Sequence, residues 1–229
     1  MKLPLSARLL QCSQFVRKGD IVADIGCDHG YLGIYLLKNN IAEYVYASDI
    51  NQGPLDSAFH NSHKFGVADH MSFYLSDGLK NVPRDFTVAV CAGMGADTIQ
   101  SVLEAAPWLR ANKYRLILQC QSRRPQLRRY LSENGWQITD ERVIRDGRFL
   151  YTVMEVCWEP AYPKLTPGEW FFPPAMMLNP GKETAAYYDD AVFRLNRELA
   201  GKKDTAEPTL QIALKELGNL KEIIDGIRS

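Results

Sequence analysis

Apolar residues in the first 160 positions follow two patterns, which are short continuous runs and repeats at helical spacing. Continuous runs flanked by glycine or acidic residues are typical of buried parallel strands, and repeats every three or four positions indicate amphipathic helices. The predicted strands are 21–25, 44–48, 71–75, 86–91 and 115–119. The predicted helices are 5–16, 32–37, 53–65, 98–103 and 125–133. This alternation predicts a parallel, doubly wound α/β sheet of Rossmann-like type.

Two further strand-like runs, 136–144 and 149–158, follow the last of these helices. The residues between them include Asp146-Gly147, and Asp-Gly between apolar runs is a strong hairpin signal. The sheet is therefore expected to contain seven strands and to end in antiparallel pairing.

The C-terminal third of the chain has a different pattern. Six prolines lie between positions 160 and 180, which predicts a linker without regular structure at 161–181. Beyond it, apolar residues at alternating four and three spacings predict two helices in a coiled-coil-like hairpin, joined around 201–207. These residues are Tyr188, Val192, Leu195, Leu199, Ala213, Leu217, Leu220, Ile224 and Ile227. The predicted domains are a catalytic domain at 1–160 and a helical hairpin at 182–229.

Composition excludes several classes of protein. With 229 residues, 46% hydrophobic and 24% charged, the chain suits one globular core with a small appendage. The formal net charge is zero, so a nucleic-acid partner would need a local basic patch. Five widely spaced cysteines without a CxxC pair predict reduced thiols and no metal site. No apolar run approaches the roughly 20 residues of a membrane span, so we expect no membrane partner. We further expect a cytoplasmic protein that is a monomer and has no protein partner.

The strongest chemical signal is the segment 24–30, which follows the first predicted strand and reads Asp-Ile-Gly-Cys-Asp-His-Gly. Its glycines, Gly26 and Gly30, allow close approach to a ligand at the start of a helix. Their spacing differs from the GxGxxG of dinucleotide sites. Asp24 would repel a pyrophosphate but attract the cationic amine of S-adenosylmethionine. The alternative is that Asp24 only caps a turn and that Gly26 only forms a tight bend.

Acidic residues also end the next two strands. Asp49 stands twenty-three residues after Gly26, where a carboxylate can accept the ribose hydroxyl protons. Asp77-Gly78 follows the third strand, where a carboxylate can accept from the adenine amine, although Asp-Gly is also a common plain turn. The fourth strand runs into a small-residue segment at 92–95, which is expected to form a wall of the site.

These elements face the same edge of the predicted sheet and together predict an S-adenosylmethionine-dependent methyltransferase. Seven strands with an antiparallel ending also fit this class better than a six-stranded dehydrogenase. The predicted cofactor-binding residues are Asp24, Gly26, Cys27, His29, Gly30, Asp49, Ile50, Asn51, Asp77, Gly78, Ala92, Gly93 and Met94.

The sequence further resembles the bacterial transfer-RNA adenine-22 N1-methyltransferases. The resemblance is carried by segments 5–9, 23–32, 76–79, 92–95 and 116–119, above all by Asp28-His29 and by Ala-Gly-Met-Gly at 92–95. It implies a class I methyltransferase fold, S-adenosylmethionine as cofactor with S-adenosylhomocysteine as product, and a coiled-coil-like C-terminal domain. It also implies methyl transfer to N1 of adenine 22, in the D-loop region of tRNA.

For this reaction the sequence offers one candidate catalytic residue, Asp28. The product 1-methyladenine is cationic, and a nearby carboxylate would stabilise the developing charge. Alternatively, Asp28 could cap the following helix. His29 could contact the cofactor or orient Asp28, or it could simply hydrogen-bond its neighbours.

Several basic residues are candidates for contact with RNA, although a solvated helix face explains the arginine cluster nearly as well. The candidates are Lys2, Arg8, Arg123, Arg124, Arg128 and Arg129, and in the C-terminal hairpin Lys202, Lys203, Lys215 and Lys221. Two other functions remain open on the sequence. One is methylation of another RNA, a small molecule or a protein. The other is a catalytically silent RNA-binding module, against which the intact Asp24, Asp49 and Asp77 argue.

Overall fold

The computed structural model describes residues 3–201 and 208–228. The strands are β1 (Asp20–Ile25), β2 (Ala42–Asp49), β3 (Met71–Leu75), β4 (Val88–Met94), β5 (Arg115–Cys120), β6 (Trp136–Asp146) and β7 (Phe149–Trp158). The helices are α1 (Ala7–Ser13), α2 (Tyr31–Lys38), α3 (Gln52–Phe65), α4 (Ala96–Glu104), α5 (Arg124–Glu133), α6 (Pro167–Phe171), α7 (Thr184–Gly201), α8 (Pro208–Asn219) and α9 (Lys221–Arg228).

The seven strands form one sheet in the order β3-β2-β1-β4-β5-β7-β6. β1 to β5 are parallel to their neighbours, while β7 is antiparallel to both β5 and β6. The predicted fold class, a doubly wound seven-stranded sheet with an antiparallel last strand, is confirmed. The strand order reverses between β1 and β4, and in open α/β sheets this reversal opens a crevice at the carboxyl ends of the strands.

Apolar side chains cover both faces of the sheet. One layer packs Val22, Val45 and Val88 against the helices α1, α2 and α3. The other packs alternate strand residues, such as Ala23 and Leu118, against α4 and α5. Because successive strand residues point to opposite faces, near-continuous apolar runs are needed to fill both layers. This burial fixes where each strand ends, and hence where the polar residues beyond the strands lie.

Two predicted elements, the fourth strand and the first helix, end three residues away from the observed boundary. β4 continues to Met94 instead of ending at Cys91, because Ala92 and Met94 keep pairing with β5 across an irregularity at Gly93. α1 is shorter than the predicted helix 5–16. It begins after Ser6, whose hydroxyl accepts from the Leu9 N–H at 3.4 Å.

The segment 161–181 has regular structure, which the linker prediction did not expect. It contains α6 and a 3₁₀ turn at Pro174–Met177. Proline is compatible with the first turn of a helix, and Thr166 and Glu169 form a capping box at the start of α6. Phe172 and Met176 are buried in the apolar cluster of the C-terminal helices. The prolines at the start of α6 and of the 3₁₀ turn therefore begin short helices.

The C-terminal region contains three described helices instead of the predicted two. α8 and α9 are separate because the helix is interrupted at Leu220. Tyr188 on α7 donates its hydroxyl proton to the carbonyl of Leu217 on α8 at 2.7 Å. The predicted apolar seam is present, since Leu195, Ala213 and Ile224 are fully buried within one cluster. The predicted connection at 201–207 lies outside the described residues, except for Gly201.

A buried arginine joins the C-terminal helices to the sheet. Arg128 on α5 is fully buried and forms a two-point ion pair with Glu141 on β6, at 2.7 and 3.0 Å. It also donates to the carbonyls of Trp170 and Phe171 on α6 and to the hydroxyl of Tyr187 on α7. One guanidinium therefore links α5, β6, α6 and α7.

Candidate active site

The loop between β1 and α2 lies at the crevice and has three residues with left-handed backbone. They are Gly26, Asp28 and Gly30, with φ of 69°, 52° and 70°. Aspartate is one of the few residues that tolerates this conformation. The N–H groups of Gly26 and Cys27 both donate to the Ser48 carbonyl, at 2.8 and 2.9 Å. The loop is thereby held against the end of β2.

Gly26 leaves room that a side chain would fill. A Cβ placed on Gly26 would lie 2.6 Å from Cε of Met94, which closes in from the end of β4. The backbone of Gly26 is exposed at this point. Gly26 and Met94, both predicted to bind the cofactor, are therefore brought together, and glycine at position 26 makes room for the Met94 methyl. The exposed main chain of Gly26 remains accessible to a ligand.

Asp49 anchors the same loop from the end of β2. Its Oδ2 accepts from the Asp28 N–H at 3.3 Å, and its Oδ1 accepts from the Asn51 N–H at 2.9 Å. The side chain of Ile50 is 64% exposed beside it. A fixed carboxylate next to an exposed apolar side chain is an arrangement that can hold a ribose and one face of a base.

Asp24 lies below the loop, near the end of β1, and is buried. Within the part of the chain that the structure describes, its Oδ2 has no hydrogen-bond partner. Burial raises the pKa of Asp24 to about 7, which a backbone hydrogen bond from Gly33 opposes and the charge of Asp49 reinforces. The interpretation of Asp24 as a simple turn cap does not account for its unpartnered oxygen. A cationic group nearby would restore its charged form.

Asp28 projects into solvent, with 74% of its side chain exposed. The alternative that Asp28 caps α2 is wrong, because the N-cap position is Gly30 and, among the described residues, no side chain caps the first turn of this helix. His29 Nε2 lies 3.6 Å from Oδ1 of Asp28, and the His29 ring is close to that of Tyr31. This geometry allows His29 to orient the Asp28 carboxylate.

Cys27 is buried in the loop, and its thiol is not suited to act as a nucleophile. Burial, reinforced by the charges of Asp24 and Asp49, raises the pKa of Cys27 far above its ordinary value. The thiol is therefore protonated near neutral pH, and a protonated thiol is a poor nucleophile.

The turn after β3 is organised by Ser76. Its hydroxyl donates to the Gly78 carbonyl at 2.9 Å and accepts from the Asn81 N–H at 3.0 Å. Asp77 is 61% exposed and pairs with Lys80 at 2.5 Å. The segment is thus a regular turn whose carboxylate remains accessible at the crevice edge, and the role of Asp77 toward adenine stays a prediction.

Gln119 is a functional candidate that sequence reasoning did not single out. It is fully buried at the end of β5, and its Oε1 accepts from the Gly93 N–H at 3.0 Å and from Arg8 at 3.3 Å. Its Nε2 has no hydrogen-bond partner among residues 3–201 and 208–228. A glutamine inside an otherwise apolar strand was the available signal. Gln119 fixes the left-handed backbone of Gly93, whose φ is 82°.

The predicted basic cluster does not exist as one exposed surface, and the part of the prediction that concerns Arg124 and Arg128 is wrong. Both are buried. Arg128 forms the ion pair with Glu141, while Arg124 donates to the Leu150 carbonyl and lies over the Tyr187 ring. Arg123 and Arg129 are exposed, 58% and 55%, and pair with carboxylates.

The remaining basic candidates fall into three groups. Arg8 is about three-quarters buried, since 26% of its side chain is exposed, and it pairs with Asp146 at 3.1 Å. Lys215 and Lys221 are exposed on α8 and α9. The others, Lys2, Lys202 and Lys203, lie outside the described residues.

Within 3–201 and 208–228, no group of three or more histidine, cysteine, aspartate or glutamate side chains is arranged to hold a metal ion. In the same ranges, no helix combines the length and apolar character that crossing a membrane requires.

Comparison with known proteins identifies the class to which this fold and site belong. The family described as "Methyltransferase domain" matches residues 5–154. Because this match spans more than half of the chain, the protein belongs to that methyltransferase family. The matched region contains all the loops at the crevice.

The resemblance to tRNA adenine-22 N1-methyltransferases is confirmed by a curated relative. The tRNA (adenine(22)-N(1))-methyltransferase of Bacillus subtilis (strain 168) is 33% identical over 154 residues. The alignment covers 67% of this chain and 65% of that protein. The chain therefore matches slightly less than two thirds of the length of this relative.

Solved structures extend the similarity to the C-terminal helices. TrmK of M. capricolum, in complex with S-adenosylhomocysteine, has a TM-score of 0.75 at 26% identity and covers 96% of this chain and 98% of its own. Sp1610 of Streptococcus pneumoniae, in complex with S-adenosyl-L-methionine, has a TM-score of 0.79 at 28% identity and covers 93% and 99%.

Proposed function

We propose that this protein is an S-adenosylmethionine-dependent methyltransferase that modifies N1 of adenine 22 in tRNA. The observation that carries the proposal is the loop 24–30, held open by Ser48 and Asp49 beside the buried carboxyl of Asp24. The name of the Bacillus subtilis relative supplies the substrate and the position. Because the match to that relative is partial, substrate and position are properties for experiment to establish.

The residues at the crevice fit S-adenosylmethionine in charge and in shape. Asp24, with an unpartnered buried oxygen, can neutralise a cationic amine. Asp49 can accept from ribose hydroxyls, and the exposed main chain of Gly26 can contact a ligand. Ile50 and Asp77 would then contact the adenine ring and its amine. The cofactor supplies, when bound, a methyl group on a cationic sulfur that the lone pair of adenine N1 can accept without prior deprotonation.

The chain's own residues then have to position the base and stabilise charge. Gly93, fixed by Gln119, gives a backbone wall without a side chain next to Met94. Adenine becomes cationic on methylation, and an exposed carboxylate at Asp28 can stabilise the charge that develops. His29 Nε2 lies 3.6 Å from that carboxylate, as a neighbour beyond hydrogen-bond distance. Positioning and charge stabilisation, rather than proton abstraction, are therefore the tasks of this site.

Substrate recognition and location follow from the same proposal. Transfer RNA would be the partner, and its modification would take place in the cytoplasm. The exposed arginines Arg123 and Arg129 remain candidates for contact with RNA. A methyltransferase that acts on another RNA, a small molecule or a protein is the alternative that experiment has to exclude.

The direct test measures transfer of labelled methyl from S-adenosylmethionine to unmodified bulk tRNA. We expect incorporation with the wild-type protein and neither incorporation nor cofactor binding with Asp24→Ala. Tight cofactor binding without transfer to any RNA would overturn the substrate, while cofactor binding by Asp24→Ala as tight as that of wild type would overturn the role of Asp24.

A further inference from the structure

Two adjoining cavities lie between the start of α5 and the C-terminal helices. Their volumes are 190 and 250 Å³. Pro125, Gln126, Phe171 and Glu198 line both of them. The two cavities therefore form one continuous groove, the joint groove, along the boundary between the sheet and the C-terminal helices.

The joint groove begins at the proposed site of methyl transfer. Gln121 and Ser122 line its first part and directly follow β5. A Cβ placed on Gly93 would lie 3.5 Å from Nε2 of Gln121, and one placed on Gly95 would lie 3.1 Å from Oγ of Ser122. A nucleotide whose base reached the end of β4 would therefore have its neighbours at the mouth of this groove.

Besides the buried Arg124, three arginines line the joint groove with more than half of each side chain exposed. Arg123 pairs with Asp97, Arg129 with Glu133 and Arg194 with Asp190. Exposed pairs of this kind contribute only about 0–1 kcal/mol. A phosphate, which a guanidinium can bind at two points, can therefore compete for these arginines.

The rest of the lining suits nucleotides that are not base-paired. The Trp170 ring lies 4.8 Å from the Arg129 guanidinium carbon, measured to the ring centroid, and Phe171 lines both cavities. Gln121 and Gln126 add amide groups that can both donate and accept. Aromatic rings, arginines and amides together are the means by which proteins bind single-stranded RNA.

The size of the two cavities favours a single strand over a duplex. Asp190 and Glu198 lie among the arginines, so the surface is not uniformly positive. Cavities of 190 and 250 Å³ accommodate the nucleotides of an extended strand better than a rigid double helix.

On the basis of the proposed function, we propose that the joint groove binds the unpaired RNA strand next to the target adenine. Arg194 and Arg129 bind its phosphates, while Trp170 and the glutamines contact its bases. The C-terminal helices thus complete the substrate site by contributing α7 to one wall of the groove.

The test measures binding of a labelled tRNA transcript at several salt concentrations, together with methyl transfer. We expect Arg194→Ala and Arg129→Ala to weaken binding and to reduce the slope of log K against log salt by about 0.7 for each phosphate that the variant no longer binds. The cofactor affinity and melting temperature should stay at wild-type values. Arg84→Ala is the matched control, because Arg84 is also an exposed arginine over a tryptophan, Trp108, but lies beyond the opposite end of β4.

The outcomes separate this proposal from the function on which it rests. Wild-type slopes in both variants, with normal methylation of tRNA by the wild type, would overturn the groove and leave the function standing. Reduced slopes in both variants, with no methylation of tRNA by the wild type, would support the groove and overturn the function. Absence of tRNA binding by the wild type would overturn both.

Discussion

A single buried carboxyl, that of Asp24, couples the stability of the fold to ligand binding. Burial holds its pKa at about 7, compared with an ordinary value of 3.8. A folded-state pKa above the unfolded one means that this group contributes stability fully below about pH 3.8. That contribution is lost as the pH rises through about 7. The ionised form is therefore costly until a cation compensates it.

Asp24→Asn should separate these two effects. The amide keeps the shape of the side chain and removes the charge, so we expect a higher melting temperature than wild type at pH 8 and a much smaller difference at pH 5. Calorimetry at both pH values measures this. The same variant should bind S-adenosylmethionine more weakly. A variant less stable than wild type at pH 8 would show that Asp24 is not a buried, uncompensated acid.

Asp28→Asn tests the carboxylate without disturbing the loop. Asparagine also tolerates the left-handed backbone at this position, where φ is 52°. We expect kcat to fall roughly 100-fold, the typical size for one group that stabilises transition-state charge, while the cofactor affinity is unchanged. Isothermal titration and single-turnover assays measure the two quantities. Unchanged kcat would exclude Asp28 from the chemistry.

At the scale of secondary-structure elements, α5 has two roles. Its N-terminal end lines the joint groove, and Arg128 on its buried face links β6, α6 and α7. The spacing of Arg124, Leu127, Arg128 and Leu131 places all four on one face. This helical periodicity is visible in the sequence. The pairing of Arg128 with Glu141 is not, because Glu141 lies on β6, whose register depends on the hairpin with β7.

Arg128→Met should be strongly destabilising. It leaves the Glu141 carboxylate buried without a partner, which typically costs about 3–5 kcal/mol of unfolding free energy. The paired variant Arg128→Met with Glu141→Leu should recover most of this loss. Arg129→Ala, one residue away and exposed, should change stability by at most about 1 kcal/mol. Urea denaturation compares the variants, and equal losses in Arg128→Met and Arg129→Ala would contradict the buried pair.

At the scale of the whole molecule, the sheet could be predicted almost completely from the sequence. Parallel strands buried on both faces require continuous apolar runs, and those runs are local features. The loop 24–30 and the acidic residues at the ends of β2 and β3 could be predicted because they stand at the ends of these local apolar runs. Packing between distant segments could not be predicted in this way, and it includes the contact of Gln119 with Gly93 and the helices in 161–181.

The division into a catalytic domain at 1–160, a connecting segment and C-terminal helices stays a prediction. The contacts of Arg128 join the three parts through buried polar groups. The C-terminal helices are therefore expected to hold a fixed position next to the active site. This is the arrangement on which the joint groove depends.

The most direct test of the central claim is to map the modified nucleotide. Unmodified tRNA transcripts that carry adenine at position 22 are incubated with the protein and S-adenosylmethionine, then digested and analysed by mass spectrometry. We predict 1-methyladenosine at position 22 and no methylation in a matched transcript with guanine there. Methylation at another position, or equal methylation of both transcripts, would contradict the proposed function.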